Sequence, residues 1–302
     1  MQTILVTGSN GLLGQKLVEQ LLQTPNIRLI ATSKNHNRLV DSENTTFELL
    51  DITNKTELDY IIKRYKPDTI INAAAITNVD FCEDNKTESW QVNVEALNYL
   101  SQISNELNIH LIHISSDFIF DGLTGNYSED DAPNPVSYYG LTKLEGEKIV
   151  QSNVNKWTII RTVLVYGLTK NRSRSNIVLW VKKSLENNTP INVVDDQFRT
   201  PTLVEDLAQA CVYAAIKEKE GIYHVSGKDF MSIYEIAIAT ADFFGLDKSL
   251  ISKISSIDLN QKAKRPPRTG FNINKAITEL DYQPHSFIEG LQIIKDQFAK
   301  NN

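Results

Sequence analysis

The sequence has little cysteine, no excess of basic residues and no long apolar run. Cys82 and Cys211 are the only cysteines, and neither they nor the 5 histidines show metal-ligand spacing, which predicts no disulfide framework and no metal site. The net charge of -6 is unlike that of a general nucleic-acid binder. No run of about eighteen apolar residues could span a membrane, and Met1–Ile4 leads directly into a predicted strand with no signal-peptide pattern. We therefore expect a cytoplasmic protein.

The composition that is present, 41% apolar and 23% charged residues among 302, is typical of a globular protein. Strand-like and helix-like segments alternate through the first half, which predicts a parallel sheet covered on both faces. Ligands of such sheets bind beyond the carboxyl ends of the strands. The predicted strands are Ile4–Thr7, Leu29–Ser33, Phe47–Leu50, Thr69–Asn72, His110–Ser115 and Thr158–Thr162, and the predicted helices are Leu12–Gln23, Lys55–Tyr65, Ser89–Leu107 and Tyr139–Gln151.

The alternation becomes less regular after about Gly167. We predict one domain over residues 1–167 and a small α/β lobe over residues 168–302. The segment around 200–226 is expected to rejoin the sheet through a strand at Ile222–Ser226. The other predicted features of the lobe are a polar loop at Asn171–Asn176 and helices at Ile177–Leu185, Leu203–Lys217, Ile233–Phe244 and Phe287–Phe298.

A glycine-rich loop follows the first predicted strand and precedes an amphipathic helix, which is the context of a nucleotide-binding loop. Gly8 permits a tight turn, Gly11 lets a pyrophosphate approach the backbone, and Gly14 lets the helix pack on the strand. Phosphates then meet the amide end of the helix. A plain strand-to-helix turn is the alternative. The expected cofactor contacts in this loop are Gly8, Asn10, Gly11, Leu12, Leu13 and Gly14.

Tyr139 and Lys143 are the strongest candidates for chemistry. They lie four residues apart in a predicted helix, so their side chains share one face. A nearby ammonium favours phenolate, so we expect Lys143 to lower the pKa of Tyr139 from about 10 and to make it a proton donor or acceptor near neutrality. Ser116 and Asp117 end the fifth predicted strand, facing this helix, where a hydroxyl could donate to a substrate carbonyl. A helix cap is the alternative there.

Together these motifs resemble the extended short-chain dehydrogenase/reductase family over nearly the whole chain. The resemblance implies a Rossmann-type doubly wound parallel sheet with a C-terminal lobe that binds substrate. It implies a catalytic triad of Ser116, Tyr139 and Lys143, in which Tyr139 protonates a carbonyl as hydride arrives and Lys143 holds the nicotinamide ribose. The matching residues are the glycine loop, Asp51-Ile52, Asn72-Ala73-Ala74-Ala75, Ser116, Tyr139-x-x-x-Lys143, and Arg161 with Tyr166-Gly167.

The same resemblance assigns further cofactor contacts. Asp51 would accept from the adenine amino group, Ile52 would flank the ring, and Asn93 would support the geometry of the site. The small side chains of Ala73, Ala74 and Ala75 would let the cofactor lie against the backbone.

The end of the second predicted strand suggests the choice of cofactor. NAD sites of this fold usually place a carboxylate there for the ribose diol. Ser33, Lys34 and Arg38 supply a hydroxyl and two cations instead, which suit the 2'-phosphate of NADPH. We therefore expect NADPH, with NADH as the second option.

Two arginines resemble the substrate-diphosphate contacts of sugar-nucleotide epimerases and dehydratases. Arg199 and Arg265 could each present a planar fork to a diphosphate, and surface or capping arginines are the alternative. With Ser116 and Asp117 they form the expected substrate contacts. Phe118 and Leu164 stand where related reductases carry a tyrosine and a tryptophan, so the pocket lacks that hydroxyl and that indole.

The leading hypothesis is NADPH-dependent reduction of a nucleotide-linked 4-keto-6-deoxy sugar, by a chain that could form a homodimer. Another sugar-nucleotide epimerase or ketoreductase with the same triad remains open. So does a non-catalytic role resembling that of the regulatory subunit of methionine adenosyltransferase. Some related reductases hold a metal between carboxylates at a dimer interface, and Gln15 and Lys16 supply no carboxylate for one.

Overall fold

Residues from both halves of the chain build one central sheet. A computed structural model describes residues 1–38, 45–170, 175–259 and 261–300, so positions 171–174 of the predicted polar loop lie outside the described residues. The strands are β1 (Gln2–Thr7), β2 (Ile27–Ser33), β3 (Thr45–Leu49), β4 (Thr69–Asn72), β5 (His110–Ser116), β6 (Trp157–Thr162), β7 (Val165–Tyr166), β8 (Ile191–Val194), β9 (Phe198–Arg199), β10 (Thr202–Leu203), β11 (Gly221–Val225), β12 (Met231–Ser232), β13 (Ile251–Ile254) and β14 (Arg268–Thr269).

Polar N-caps precede several of the helices, where a side-chain oxygen accepts from a first-turn amide. Ser137 accepts from the amide of Gly140, and Ser232 forms a capping box with Glu235. The helices are α1 (Leu12–Gln23), α2 (Lys55–Tyr65), α3 (Val79–Asp84), α4 (Lys86–Trp90), α5 (Ala96–Glu106), α6 (Tyr138–Asn153), α7 (Ile177–Glu186), α8 (Val204–Ile216), α9 (Ile233–Phe244), α10 (Asn274–Glu279) and α11 (Phe287–Lys300).

The central sheet is parallel throughout and has the strand order β11-β6-β5-β4-β1-β2-β3. Helices α1 and α8 cover one face, where Leu17 and Leu207 belong to the same apolar core. Helices α2, α5 and α6 cover the other face, with Leu58 and Leu100 in a second core. The predicted doubly wound parallel sheet is confirmed. Because the strand order reverses between β1 and β4, a ligand crevice is expected at their carboxyl ends.

The smaller lobe is formed by two separate stretches of the chain. Strand β8 pairs with β13, β9 lies between β12 and β14, and α7, α9 and α11 pack beside them. Between these stretches the chain returns to the central sheet as α8 and β11, within the segment predicted to rejoin it. In the described part of the chain, no helix is both long enough and apolar enough to cross a membrane.

The helix predicted at Ser89–Leu107 is divided by a π-helical turn. Residues Gln91–Glu95 form this turn between α4 and α5. Within it, Asn93 Oδ1 accepts from the amide of Ile76 at 2.9 Å and Nδ2 donates to the carbonyl of Ile76 at 3.0 Å. The wider turn directs Asn93 towards the backbone that follows β4, and π turns of this kind recur at functional sites.

Candidate active site

The glycine loop lies directly against the backbone that follows β4. Gly8 has φ of +67°, and a Cβ there would lie 2.9 Å from the Cα of Ala74. A Cβ on Gly14 would lie 2.2 Å from the carbonyl oxygen of Gly8, so both positions require glycine. The N-cap of α1 is Gly11, which has no side-chain acceptor. The amide end of α1, with Leu12 and Leu13, can therefore receive an anion, beside the small Ala73, Ala74 and Ala75.

Asn10 ties this loop to the end of β2. Its Nδ2 donates to Ser33 Oγ at 3.0 Å and to the carbonyls of Asn35 and His36 at 3.2 and 2.9 Å. Its Oδ1 accepts from the amide of Arg38 at 3.0 Å. Ser33 and Arg38, two residues predicted to contact the 2'-phosphate, therefore both hydrogen-bond to the side chain of Asn10.

Lys34 and Asp51 form an ion pair that the sequence did not reveal. Lys34 Nζ lies 2.8 Å from Asp51 Oδ2, and Thr53 donates to Oδ1 from its amide and its hydroxyl. Burial raises the pKa of Asp51, but the hydrogen bonds from Lys34 and Thr53 outweigh it and lower the pKa below its ordinary value. Next to Asp51, Ile52 is buried. Lys34 and Thr53 line a cavity of about 600 Å³ with α4.

The two candidate catalytic side chains lie in α6, which begins at Tyr138. Ser137 caps the helix, and Glu83 Oε1 accepts from the amide of Tyr138 at 2.7 Å, so a carboxylate neighbours the positive end of the helix. Tyr139 and Lys143 are both buried in the described structure. The predicted i, i+4 arrangement of Tyr139 and Lys143 on a helix is therefore present.

Tyr139 lies beside Ser116, whose hydroxyl donates to Asp117 Oδ1 at 3.1 Å and accepts from the amide of Phe118 at 3.2 Å. The expected lowering of the Tyr139 pKa is wrong for this structure. Burial raises the pKa of Tyr139 above its ordinary value, and Asp117 adds to the rise, while the neighbouring Ser116 side chain opposes it. The motif alone does not show how completely the phenol is removed from water. A phenol that stays protonated at neutral pH is the form required of a proton donor.

Lys143 contacts a histidine that the sequence analysis did not select. Its Nζ lies 3.2 Å from His113 Nε2, and His113 Nδ1 lies 3.2 Å from Asn72 Nδ2. Thr7 Oγ1 in turn lies 2.6 Å from Asn72 Oδ1. Burial lowers the pKa of Lys143 to about 8, with Glu147 opposing the shift. The signal that could have identified His113 is a polar residue inside an otherwise apolar parallel strand.

Asp117 and Arg199 form a buried ion pair, with Arg199 Nε 3.6 Å from Asp117 Oδ2. Thr269 also donates its hydroxyl to Asp117. Arg199 Nη1 donates to the carbonyls of Phe198 and Pro267 at 2.7 and 3.4 Å. Burial raises the pKa of Asp117, and the charge of Arg199 opposes that rise. The predicted substrate contacts Ser116, Asp117 and Arg199 are therefore brought together beside Tyr139.

Arg265 instead holds a carboxylate on α3. Its Nη2 lies 2.7 Å from Asp80 Oδ2 and its Nη1 lies 3.2 Å from Oδ1, which is a bidentate pair. Asp80 Oδ1 also accepts from the amide of Ala263. Its hydrogen bond with Arg265, opposed by burial, lowers the pKa of Asp80. The pair links the lobe to the helix that follows β4.

Phe118, one of the positions that differ from related reductases, lies next to these groups. The Phe118 ring is edge-on to Tyr139 at 5.6 Å, and the Arg199 guanidinium lies 5.6 Å from the centre of the Phe118 ring. Leu164 has φ of +37°, a conformation that is strained for a residue with a side chain. The side chain that contacts both Tyr139 and Arg199 is therefore the aromatic ring of Phe118.

Gln15 and Lys16, which follow the glycine loop, supply a cation and no carboxylate. Lys16 Nζ lies 3.1 Å from Glu19 Oε2 and 3.2 Å from Glu205 Oε1, while Gln15 donates to the carbonyl of Asn10. Lys16 thus balances the two carboxylates. Across the residues that the structure describes, no group of three or more His, Cys, Asp or Glu side chains could hold a metal.

The parallel sheet, the glycine loop and the tyrosine–lysine helix define a short-chain dehydrogenase/reductase, and comparisons with known proteins agree. The chain is an NAD(P)-dependent oxidoreductase of this class. The family model described as the RmlD substrate binding domain matches residues 1–300. The chain belongs to this family.

Individual relatives match most or nearly all of the chain. A dTDP-4-dehydrorhamnose reductase from Aggregatibacter actinomycetemcomitans is 32% identical over 307 residues, covering 98% of this chain and 99% of that protein. The methionine adenosyltransferase 2 subunit beta of Bos taurus is 32% identical over 257 residues, covering 83% and 75%. Among solved structures, a dTDP-4-dehydrorhamnose reductase from Clostridium acetobutylicum has a TM-score of 0.88 with 28% identity, covering 99% and 100%. The enzyme from Bacillus anthracis, in complex with NADP, has a TM-score of 0.85 with 26% identity, covering 98% and 100%.

Proposed function

We propose that this protein reduces a nucleotide-linked 4-keto-6-deoxy sugar with NADPH, and that the reaction is dTDP-4-dehydrorhamnose to dTDP-L-rhamnose. The observation that carries the proposal is the convergence of Ser116 and Tyr139 beside Arg199, with Lys143 one helical turn further along α6. The similarity to dTDP-4-dehydrorhamnose reductases supports the choice of substrate.

The residues present fit a dinucleotide. The uncapped amide end of α1, in a loop whose close packing requires Gly8 and Gly14, suits a pyrophosphate, and Asp51 and Ile52 suit the adenine. Ser33, Lys34 and Arg38 suit a 2'-phosphate, which favours NADPH over NADH. When bound, NADPH supplies the hydride. Asn93 would hold the backbone at Ile76, through its two hydrogen bonds, in the shape that the site needs.

The protein's own groups would manage the proton and the carbonyl. Tyr139 would donate its phenolic proton to the carbonyl oxygen as that oxygen gains negative charge, with Ser116 donating a second hydrogen bond. The cation of Lys143 would stabilise the phenolate that remains on Tyr139. Burial of all three side chains strengthens these interactions because little water screens them.

Arg199 and Arg265 are proposed to bind the diphosphate of the substrate. A diphosphate would have to compete with Asp117 for Arg199 and with Asp80 for Arg265, since each guanidinium faces a carboxylate. Planar forks are well suited to such an exchange because carboxylate and phosphate oxygens accept the same paired N–H groups.

The test is NADPH oxidation over a panel of 4-keto sugars linked to dTDP, UDP and GDP, followed by absorbance. We expect turnover with dTDP-4-dehydrorhamnose and a product that co-migrates with dTDP-L-rhamnose. Turnover only with another nucleotide or sugar would move the assignment to a different ketoreductase. A purified protein that retains NAD and interconverts epimers without consuming NADPH would identify an epimerase.

The similarity to methionine adenosyltransferase 2 subunit beta favours one further candidate, a regulatory subunit. That role predicts co-purification of a synthetase and no oxidation of NADPH with any keto sugar. The buried Arg199 beside the candidate proton donor favours the reductase, because a regulatory surface requires no cation at that point.

A further inference from the structure

Lys143 is the end of a buried polar chain that continues through His113, Asn72 and Thr7. The exposed fractions of these four residues are 2%, 2%, 3% and 0%, so bulk water does not complete their hydrogen bonds. The chain ends at the glycine loop, because Thr7 precedes Gly8 and accepts from the amide of Ala74 at 3.3 Å. The cofactor loop and Lys143 are therefore connected through side chains alone.

The neighbours of Lys143 show what His113 adds. The titratable groups that act on Lys143 are Glu147 on its own helix, Cys82 on α3 and His113 on β5. Burial holds the pKa of His113 well below its ordinary value, so the ring is neutral. A carboxylate in the position of His113 would cancel the field of the ammonium at Tyr139. A neutral ring fixes Nζ without that cancellation.

The neutral ring can serve either charge state of Lys143, because it carries one proton and the Asn72 amide can present its nitrogen or its oxygen. With the amide as it stands, Nδ2 donates to His113 Nδ1, and the protonated Nε2 then donates to an uncharged amine. With the amide rotated, its oxygen accepts from a protonated Nδ1, and Nε2 accepts from an ammonium. The amide nitrogen then donates to Thr7 Oγ1, which in the present arrangement donates to the amide oxygen. The two patterns differ by one proton on Nζ, which is exchanged with solvent.

We propose that His113 is a positioning residue for Lys143: the neutral ring, supported by the reversible amide of Asn72, completes the hydrogen bonds of Nζ in both of its charge states and ties it to the glycine loop. The ring borders α6 at Gly146, where a Cβ would stand in ordinary van der Waals contact with His113 Nε2 at 3.6 Å. The effect on turnover rests on the proposed function, in which Lys143 acts as a cation.

The first test uses the unmodified protein labelled with ¹⁵N-histidine and followed by NMR across the titration of Lys143. Loss of signals in His113→Phe assigns the ring. We expect the ring proton on Nδ1 at low pH and on Nε2 at high pH, with no doubly protonated form. A single tautomer over the whole range would overturn the proposal. This readout requires neither substrate nor turnover, so it stands even if the reductase assignment fails.

The second test measures turnover against pH. It follows the alkaline limb of this profile, where turnover is lost as Lys143 gives up its proton. A hydrogen bond from an ammonium is stronger than one to an amine. His113→Phe should therefore move this limb to lower pH, by about one to two units. Asn72→Asp should move it to higher pH, because a carboxylate only accepts and holds the ring with Nε2 as acceptor. His110→Phe, on the same strand, is the control and should leave the limb in place. If the alkaline limb stays in place in both test variants and their melting temperatures fall, His113 has only a structural role in the core.

Discussion

Arg199 Nε lies 3.6 Å from Asp117 Oδ2, and the two side chains are 4% and 3% exposed. The ion pair with Asp117 does not use all the donors of Arg199. Its Nη1 donates instead to the carbonyls of Phe198 and Pro267. The guanidinium is thus oriented in advance and keeps donor capacity for an anion. This geometry makes the role of Arg199 directly testable.

Arg199→Ala should raise KM for the nucleotide sugar roughly ten- to a hundredfold, because a charge-assisted fork contributes about 1.5–3 kcal/mol. NADPH affinity should be unchanged. Arg199→Lys should recover only part of the loss, since an ammonium cannot bind two oxygens in one plane. Arg268→Ala is the matched control, because Arg268 lies on the same small sheet beside Phe198 and Phe230. Lower stability with an unchanged KM would limit Arg199 to holding Asp117.

Tyr139→Phe should fold normally and bind NADPH but lose turnover by ~10²–10⁴-fold, the usual contribution of a general acid. Phenylalanine keeps the ring that packs against Phe118, so the fold should not change. Steady-state rates and a melting curve on the same preparation provide the measurement. A near wild-type rate would remove Tyr139 from the mechanism. Lys143→Met should reduce both rate and cofactor affinity.

Ser33→Asp combined with Lys34→Glu should weaken NADPH and improve NADH, because a carboxylate repels the 2'-phosphate and accepts from a ribose diol. The pairing of Lys34 with Asp51 adds a second expectation. Lys34→Glu alone should disturb adenine binding too, since it places two carboxylates together. Lys55→Glu, an exposed change on α2, is the control for added charge. Equal affinity for NADH and NADPH in the unmodified protein would contradict our interpretation of Ser33 and Lys34.

Glu147→Gln should destabilise the protein by about 3–5 kcal/mol, the usual result of leaving one buried charge unpaired. Arg161 donates to Glu147 through Nε and Nη2, and both side chains are buried. Replacing both residues by leucine should recover much of the loss. Glu145→Gln, which removes an exposed pair with Lys148 on the same helix, should cost about 1 kcal/mol or less. Equal losses in the two single variants, measured by urea unfolding, would show that burial of the pair has no special effect.

Acid should destabilise the fold through His224. Burial, then the charge of Arg161, lowers the pKa of His224 to about 3. In the unfolded chain His224 takes up a proton near pH 6.5, whereas in the folded chain it stays neutral until about pH 3. The free energy of unfolding therefore falls as pH decreases from about 6.5 to about 3, by up to ~1.4 kcal/mol per pH unit. Melting temperature against pH should slope less in His224→Phe. The exposed His36→Asn should keep the wild-type slope, and an unchanged slope in His224→Phe would contradict this account.

The features of the site that the sequence predicted are those that a short, local pattern of residues determines. The glycine spacing identified the loop, and the i, i+4 spacing identified the helical face of Tyr139 and Lys143, because both signals lie within a few residues. The pairs Lys34–Asp51 and Arg265–Asp80 could not be predicted, since they join residues that the fold alone brings together, in the second case 185 positions apart.

The electrostatic state of the site was the least predictable part. A tyrosine–lysine motif indicates a lowered pKa for the phenol, whereas near-complete burial raises it. Burial depends on how β5, α3 and α6 pack together, and no single segment encodes that packing. The same holds for His113, whose contact with Lys143 depends on the alignment of β5 with α6.

The late return of the chain to the central sheet constrains its synthesis. Strand β11 ends at Val225, and α8, whose Leu207, Ala208 and Cys211 are fully buried, covers the same face as α1. When only the first 167 residues have left the ribosome, the nascent chain therefore exposes an apolar face of the sheet. It also exposes the face of the glycine-loop helix α1 that packs with α8 in the finished fold. Partly made chains of this kind are prone to aggregate. The sheet and the packing of its glycine-loop helix are therefore complete only after Val225 has been translated.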